Sequence, residues 1–325
     1  MPYLHATSCS ITRRRWLALA ALPAGGLLGA CGTPLPLSAV APSAASAAAA
    51  QRLADSANAH GLAAYRQTSD INIGYGGQWR PLINRVQPEV VDEGFRGPSQ
   101  ERLMPSAGVV AQAYAGVKGK KQVFWQRGKS LAPAGRDQGD VAVWFNGQPS
   151  QRASELAAAA LVAEGYGLFL LGPLWIASRQ AAGLAMPAEV AGTERVHGRL
   201  CDVVNVWMSP GLGHAATDRV SLLIDRDDHV TRRLRFTLEG YEGTRGAVAE
   251  VDYFEHARRF GLLLPMRSYE EVVHPLRLPA HDWFVTGLDV NRGYGVEALR
   301  GAQFSGAAAA PAKPLAEYRP PLIEM

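Results

Sequence analysis

The feature that most constrains this fold is the alternation of apolar and polar side chains through the second half of the chain. It runs over residues 201–208, 219–225, 230–238, 248–255, 262–273 and 283–290. A period of two is the pattern of a strand with one buried face. The gaps are short, and one of them, Asp225-Arg226-Asp227-Asp228-His229, is rich in residues that tolerate tight turns. Parallel crossovers need about a dozen residues or more, so strands joined this closely pair antiparallel. The first half has the same character. Asp70-Ile71-Asn72-Ile73-Gly74-Tyr75, Val109 to Tyr114, Lys121-Gln122-Val123-Phe124-Trp125 and Val141-Ala142-Val143-Trp144-Phe145 read as strands, and Asn146-Gly147 is a strong turn signal. The expected class is α+β, with one large antiparallel β-sheet covered by helices.

Two stretches break the pattern. Gln51 to Ala64 reads as a helix, with Leu53, Ala54, Ala57 and Ala64 available for one face. Residues 150–179 hold Ala157 to Ala160 with Leu161, Val162 and Ala163, a strong helix former that Ser150 or Ser154 can cap. Glu164-Gly165-Tyr166-Gly167 follows, then Leu168-Phe169-Leu170-Leu171, stopped by Gly172-Pro173. A membrane span needs roughly 20 apolar residues, and Glu164, two glycines and the Gly-Pro break make this a poor one. The better expectation is a buried helix pair, or a lid over the sheet that moves at Gly165, Gly167 and Gly172. Leu161, Tyr166, Leu168, Phe169, Leu170, Leu171 and Trp175 are then its cavity or lid side chains.

The start of the chain reads as an export segment: a polar beginning, a basic cluster, a short apolar stretch from Leu17 to Leu28, and small residues. Thr12-Arg13-Arg14-Arg15-Trp16-Leu17 resembles the twin-arginine motif of bacterial export signals, with Arg13 and Arg14 as the pair. Leu28-Gly29-Ala30-Cys31 resembles the lipobox. That resemblance implies that Cys31 receives a diacylglyceryl group and becomes the first residue of a mature, membrane-anchored lipoprotein. Residue 32 is Gly and not the Asp that resembles an inner-membrane retention signal, so the periplasmic face of the outer membrane is the expected location. Residues 32–50 are rich in Ala, Pro and Ser with no charged side chain, which reads as a flexible tether. The expected division is a signal at 1–31, the tether at 32–50, a domain at 51–300 and a loose tail at 301–325.

The net charge of +4 belongs mostly to that leading segment. Arg13, Arg14 and Arg15 are three of the 33 basic side chains and no acid precedes Cys31, so the remainder carries 30 basic against 29 acidic groups. That balance argues against nucleic-acid binding, which needs a strong basic patch. Of the three cysteines, Cys9 leaves with the signal and Cys31 carries lipid, so Cys201 has no partner for a disulfide within the mature chain. Within Gly198-Arg199-Leu200-Cys201-Asp202-Val203-Val204 it reads as a small buried hydrophobe.

The order of lipobox, tether, helix, antiparallel strands, apolar helical insert and further strands resembles the periplasmic lipoprotein carrier and receptor superfamily, the Lol-type half-barrel. The stretch Gly198 to Phe236 carries it best, with two strands, a turn and a third strand ending in Val230-Thr231-Arg232-Arg233-Leu234-Arg235-Phe236. The resemblance covers roughly residues 51–295 and implies a strongly curved sheet around a hydrophobic cavity plugged by helices. It implies a non-enzymatic role, with a lipid or lipoprotein as ligand and no cofactor. The segment Trp79 to Met104 and the block Pro279 to Phe304 fall outside that pattern, and no leucine-tipped hairpin of the receptor type stands out.

The polar clusters offer alternatives. His281, Asp282, Asp289 and Arg292 form the densest block of potentially catalytic types, which an envelope enzyme needs gathered in one cleft. His214, Asp218, Asp225, Asp227, Asp228 and His229 lack the spacing of a metal site, so no metal is expected. A third possibility is a structural protein that binds a partner through a sheet edge. The aromatics Tyr75, Trp79, Phe124, Trp125, Trp144, Phe145, Tyr166, Phe169, Trp175, Trp207 and Trp283 either fill a core or line a ligand cavity.

Overall fold

The computed structural model describes residues 40–128 and 139–304, all within one compact unit. Cys31, Arg13, Arg14 and the expected tail after residue 304 lie outside these residues. Thirteen antiparallel strands form one open sheet in the order β6-β5-β4-β3-β2-β1-β13-β12-β11-β10-β9-β8-β7. In chain order, the first-half strands are β1 Ile71–Trp79, β2 Ser99–Met104, β3 Val109–Gly116, β4 Gly119–Gln126, β5 Asp140–Phe145 and β6 Gln148–Pro149. The second-half strands are β7 Ala188–Val196, β8 Arg199–Met208, β9 Asp218–Asp225, β10 Thr231–Thr237, β11 Val248–Arg259, β12 Leu262–His274 and β13 Leu278–Val290. The two halves are joined where β1 pairs with β13, so first and last strands meet in the middle of the sheet. The class is α+β, as expected.

The sheet curves into a half-barrel around its helices. The long helix α5, Ala153–Leu171, packs on β3, β4 and β5 and also on β12. Adjacent strands lie about 4.8 Å apart, so β5 and β12 would stand roughly 30 Å from each other in a flat sheet. Contacts with both place α5 across the concave face of the sheet. Helix α6, Pro173–Ala181, begins after the break at Gly172, whose φ of 49° and ψ of −117° end α5, with Pro173 in the first turn of the new helix. Ser150 and Ser154 do not cap α5: Ser154 Oγ donates to Glu89 and Ser150 Oγ to Glu155. Among the described helices α5 is the one long and apolar enough to cross a membrane, and 78% of its most apolar window is buried inside the protein.

The helix expected from residue 51 starts earlier, as α1 Ala47–Ala59, followed by α2 Leu62–Arg66. Ser46 caps it and its N–H donates to the Ala188 carbonyl (2.8 Å), so the chain is already docked on β7 at this point. Leu53, Ser56 and Ala57 form the buried face, whereas Ala54 faces solvent. Arg52 reaches Asp202 (2.8 Å), and Ser56 Oγ meets Thr231 Oγ1 (3.0 Å). The segment Trp79 to Met104 forms α3 Pro81–Val86, α4 Pro88–Val91 and β2. After β13 the chain turns through α7, Val296–Leu299, and lays Leu299 and Phe304 on the outer face beside Val109, Ala111 and Phe124.

Glu164 fixes α5 in the barrel. Its carboxylate accepts from Arg179 Nη1 on α6 (2.8 Å), from Arg127 Nε after β4 (2.9 Å) and from the Gly213 N–H in the β8–β9 loop (2.9 Å). Arg179 has no exposed side-chain surface, and burial pulls its guanidinium down to about 10. A charge buried this deeply is stable only while its partners remain.

Candidate ligand cavity

An apolar cavity of about 360 Å³ opens between α5 and the concave face of the sheet. That volume falls within the ~300–1,000 Å³ of small-molecule sites. Leu161, Val162, Gly165, Tyr166 and Phe169 of α5 form one wall. Phe236 of β10, Leu238 just after it, Val272 of β12 and Ala280 of β13 form another, and Ile83, Val86 and Val90 of α3 and α4 close the side. Phe169 packs on Phe236 (ring centroids 5.1 Å) and stacks near Trp283 (6.1 Å) at the cavity floor. At its margin stand Val86, 47% exposed, and Leu276, 67% exposed, at the tip of the β12–β13 hairpin. The β12–β13 hairpin thus carries an exposed leucine at its tip, which the sequence reading did not single out. Proline and arginine flank Leu276, so no alternating pattern marked it.

The expected cavity side chains divide. Leu161, Tyr166 and Phe169 line the cavity. Leu168, Leu170, Leu171 and Trp175 are buried in the core and away from it. All-round burial of α5 explains this: a helix apolar on every side gives no sequence clue to which side meets the void. Gly165 and Gly167 lie inside continuous helix, and a Cβ at Gly167 would meet the Trp175 ring at an ordinary contact distance, 3.5 Å from Nε1.

A second, more polar cavity of about 240 Å³ adjoins the first, and Trp79 and Tyr166 line both. Trp79 stacks on His281 (4.4 Å, 6° between planes), and Tyr166 Oη lies 3.2 Å from His281 Nδ1. Arg96 is sandwiched here, its Cζ 4.4 Å from the Tyr114 ring centre, 5.4 Å from Trp79 and 5.9 Å from Tyr166. Its Nε and Nη2 donate to the Val91 and Val90 carbonyls at the end of α4 (2.9 and 3.0 Å). Two buried carboxyls stand near, Glu101 of β2 and Glu270 of β12, and burial pushes each up to about 7. None of Arg96, Glu101 and Glu270 was singled out from sequence. They lie on different elements and share no spacing.

The four candidate catalytic residues do not converge. His281 faces α5 on the concave side, and burial together with nearby Arg96 and Arg80 holds its imidazole well below the usual range, so it is neutral near pH 7. Asp282, next along the strand, points to the opposite face and pairs with Arg267 (3.1 Å). Asp289 and Arg292 do form an ion pair, but at the far end of β13, where Arg292 N–H and Gly293 N–H also donate to Asp70. Eight residues of strand put about 27 Å between His281 and Asp289.

The acidic turn is a paired one: Asp225 accepts from Arg199 and Arg232, and Asp228 from Arg232. Asp218 ties the β8–β9 loop to β10, accepting from Leu212 N–H and Thr237 Oγ1. Among the described residues no cluster of His, Cys, Asp and Glu has metal-binding geometry. Cys201 is fully buried, and burial pushes its thiol up to about 11, which leaves it unreactive.

No family model matches the chain, and no curated protein does. Among solved structures it is similar to a DUF1329 family protein from Desulfovibrio piger (8% identity, TM-score 0.47), covering 78% of this chain and 97% of that one. A putative outer membrane lipoprotein-sorting protein domain from Vibrio parahaemolyticus gives 8% identity and a TM-score of 0.43, over 77% and 97% of the two chains. A LolA superfamily protein from Nitrosomonas europaea gives 11% and 0.36, over 81% and 98%.

Proposed function

We propose that this protein is a lipoprotein, exported by its twin-arginine-like signal and anchored through Cys31 to the periplasmic face of the outer membrane. There it holds an acyl chain or another apolar ligand between α5 and the sheet. The observation that carries the reading is the open apolar cavity, a void the fold leaves unfilled although core side chains surround it. Interiors otherwise pack to crystal density, so a void of this size inside a helix-plugged sheet is costly unless something fills it. The mechanism is burial: each CH₂ removed from water contributes about 0.8 kcal/mol, so an aliphatic chain needs few polar contacts. The exposed Val86 and Leu276 at the margin give an apolar chain an apolar path inward. The test is organic extraction of the full chain carrying Cys31→Ser, purified without detergent, followed by mass spectrometry. A released lipid near one per protein is the expected result. An empty extract, together with no uptake of a fluorescent fatty acid, contradicts the reading.

A further inference from the structure

We propose that the ligand is an amphiphile with a compact carboxylate head, its tail in the apolar cavity and its head at Arg96 in the adjoining polar one. This deepens the cavity reading above and rests on it. The argument begins with unpaired groups. Arg96 Nη1 is closed off from water and has no acceptor, although Nε and Nη2 are both used. The hydroxyls of Tyr75 and Tyr114, residues 4% and 3% exposed, likewise have no hydrogen-bond partner. All three residues line the 240 Å³ cavity. Buried donors without partners are rare, because each forfeits the hydrogen bond it had in water. Three of them on residues that line one small cavity, one on a cation, suit an anion with two oxygens.

The charges around Arg96 leave room for that anion. Asp92 and Glu101 both act on Arg96, but Asp92 is itself held by Lys121, and Glu93, which lines the same cavity, is exposed to solvent. Glu101 accepts from Ser99 Oγ (3.3 Å), and Glu270 Oε2 has no partner at all. Burial raises both carboxyls to about 7, so neither is a settled counterion for the guanidinium at neutral pH. A protonated Glu270, which lines the apolar cavity, adds a fourth donor at the junction of the two. The position also fits an amphiphile: Trp79 and Tyr166 belong to both linings, so a chain filling the first cavity brings its polar end to the second.

The test compares cis-parinaric acid with its methyl ester, which share the fluorescent tail and differ in the charged head, on the full chain carrying Cys31→Ser. Binding of the acid at least about tenfold tighter than the ester is expected, the size of one charge-assisted hydrogen bond. In Arg96→Met that preference is expected to fall below about twofold. Tyr75→Phe/Tyr114→Phe, which keeps the α4 contacts of Arg96, is expected to lose part of it. Equal binding of acid and ester to the unsubstituted site overturns the carboxylate proposal and leaves the cavity reading intact, as does a preference that survives Arg96→Met. Binding of neither ligand overturns both. Should Arg96→Met fail to fold, the acid-to-ester ratio of the unsubstituted site and of the tyrosine double variant decides.

Discussion

Glu164 and Glu270 are both carboxyls buried against α5, and their surroundings set opposite roles. Glu164 has three donors and stays a structural anchor. Replacing it by Ala leaves Arg179 buried with its charge uncompensated, and a loss of about 3–5 kcal/mol is expected. A denaturant midpoint that falls at constant slope would report it. Glu270 has no such partners, and its raised value makes the protonated form the one the fold prefers. Its contribution is complete below about 4.5 and is lost as pH rises through about 7. Glu270→Gln removes that titration, so between pH 5 and pH 8 the variant gains on the parent by roughly 2–3 kcal/mol. Parallel pH profiles for the two proteins would show that the carboxyl is solvated instead. Neither role was legible in sequence. Glu164 stood out only as a flaw in a membrane span, because its buried ion triad is assembled from α5, α6 and the segment after β4.

At the scale of elements, most strands were legible because one face of each is buried, which imposes the period of two. The exceptions have physical causes. In β2 the buried positions include Ser99, Glu101 and Arg102, so an interior strand reads as polar. Arg102 is held there by Asn72 and by the Tyr294 and Phe304 rings, contacts from remote parts of the chain. Strand β7 is an edge with an irregular register at Gly192 and mostly exposed side chains, so no face stands out. The start of α1 was hidden in an Ala-rich run that composition alone assigns to a tether. For α5, the helix and its break at Gly172-Pro173 were legible, and Gly165 and Gly167 lie within continuous helix. A Cβ at Gly165 meets only Phe169 Cζ at 3.7 Å, an ordinary contact. Gly165→Ala is therefore expected to stabilise the protein by about 0.5–1 kcal/mol, with probe uptake at the parental rate. Slower uptake would mean that α5 does bend there.

At the scale of the molecule, the half-barrel turns one sheet into two surfaces with different duties. The convex side is latched by ion pairs, as where Arg233 of β10 meets Glu250 of the adjacent β11 and Glu194 of β7, three strands away (both 3.1 Å). The concave side holds the helices and the cavity. The proposed anchor adds a spatial limit: the 15 residues from Cys31 to Ser46 span at most about 50 Å when fully extended. A lipid-held protein on such a leash serves ligands near its own membrane and is not a free shuttle. The half-barrel class and its helical plug followed from strand spacing, the apolar insert and family resemblance. The cavity did not, because a void is a property of packing that no segment encodes alone. The most direct test fills it. Titration of the full chain carrying Cys31→Ser with a fluorescent apolar probe is expected to saturate at one site. Adding Val162→Trp, which places an indole in the void from α5, is expected to weaken that site by tenfold or more while the fold persists. No saturable binding to the parent, or equal binding to both, would contradict a ligand held between α5 and the sheet.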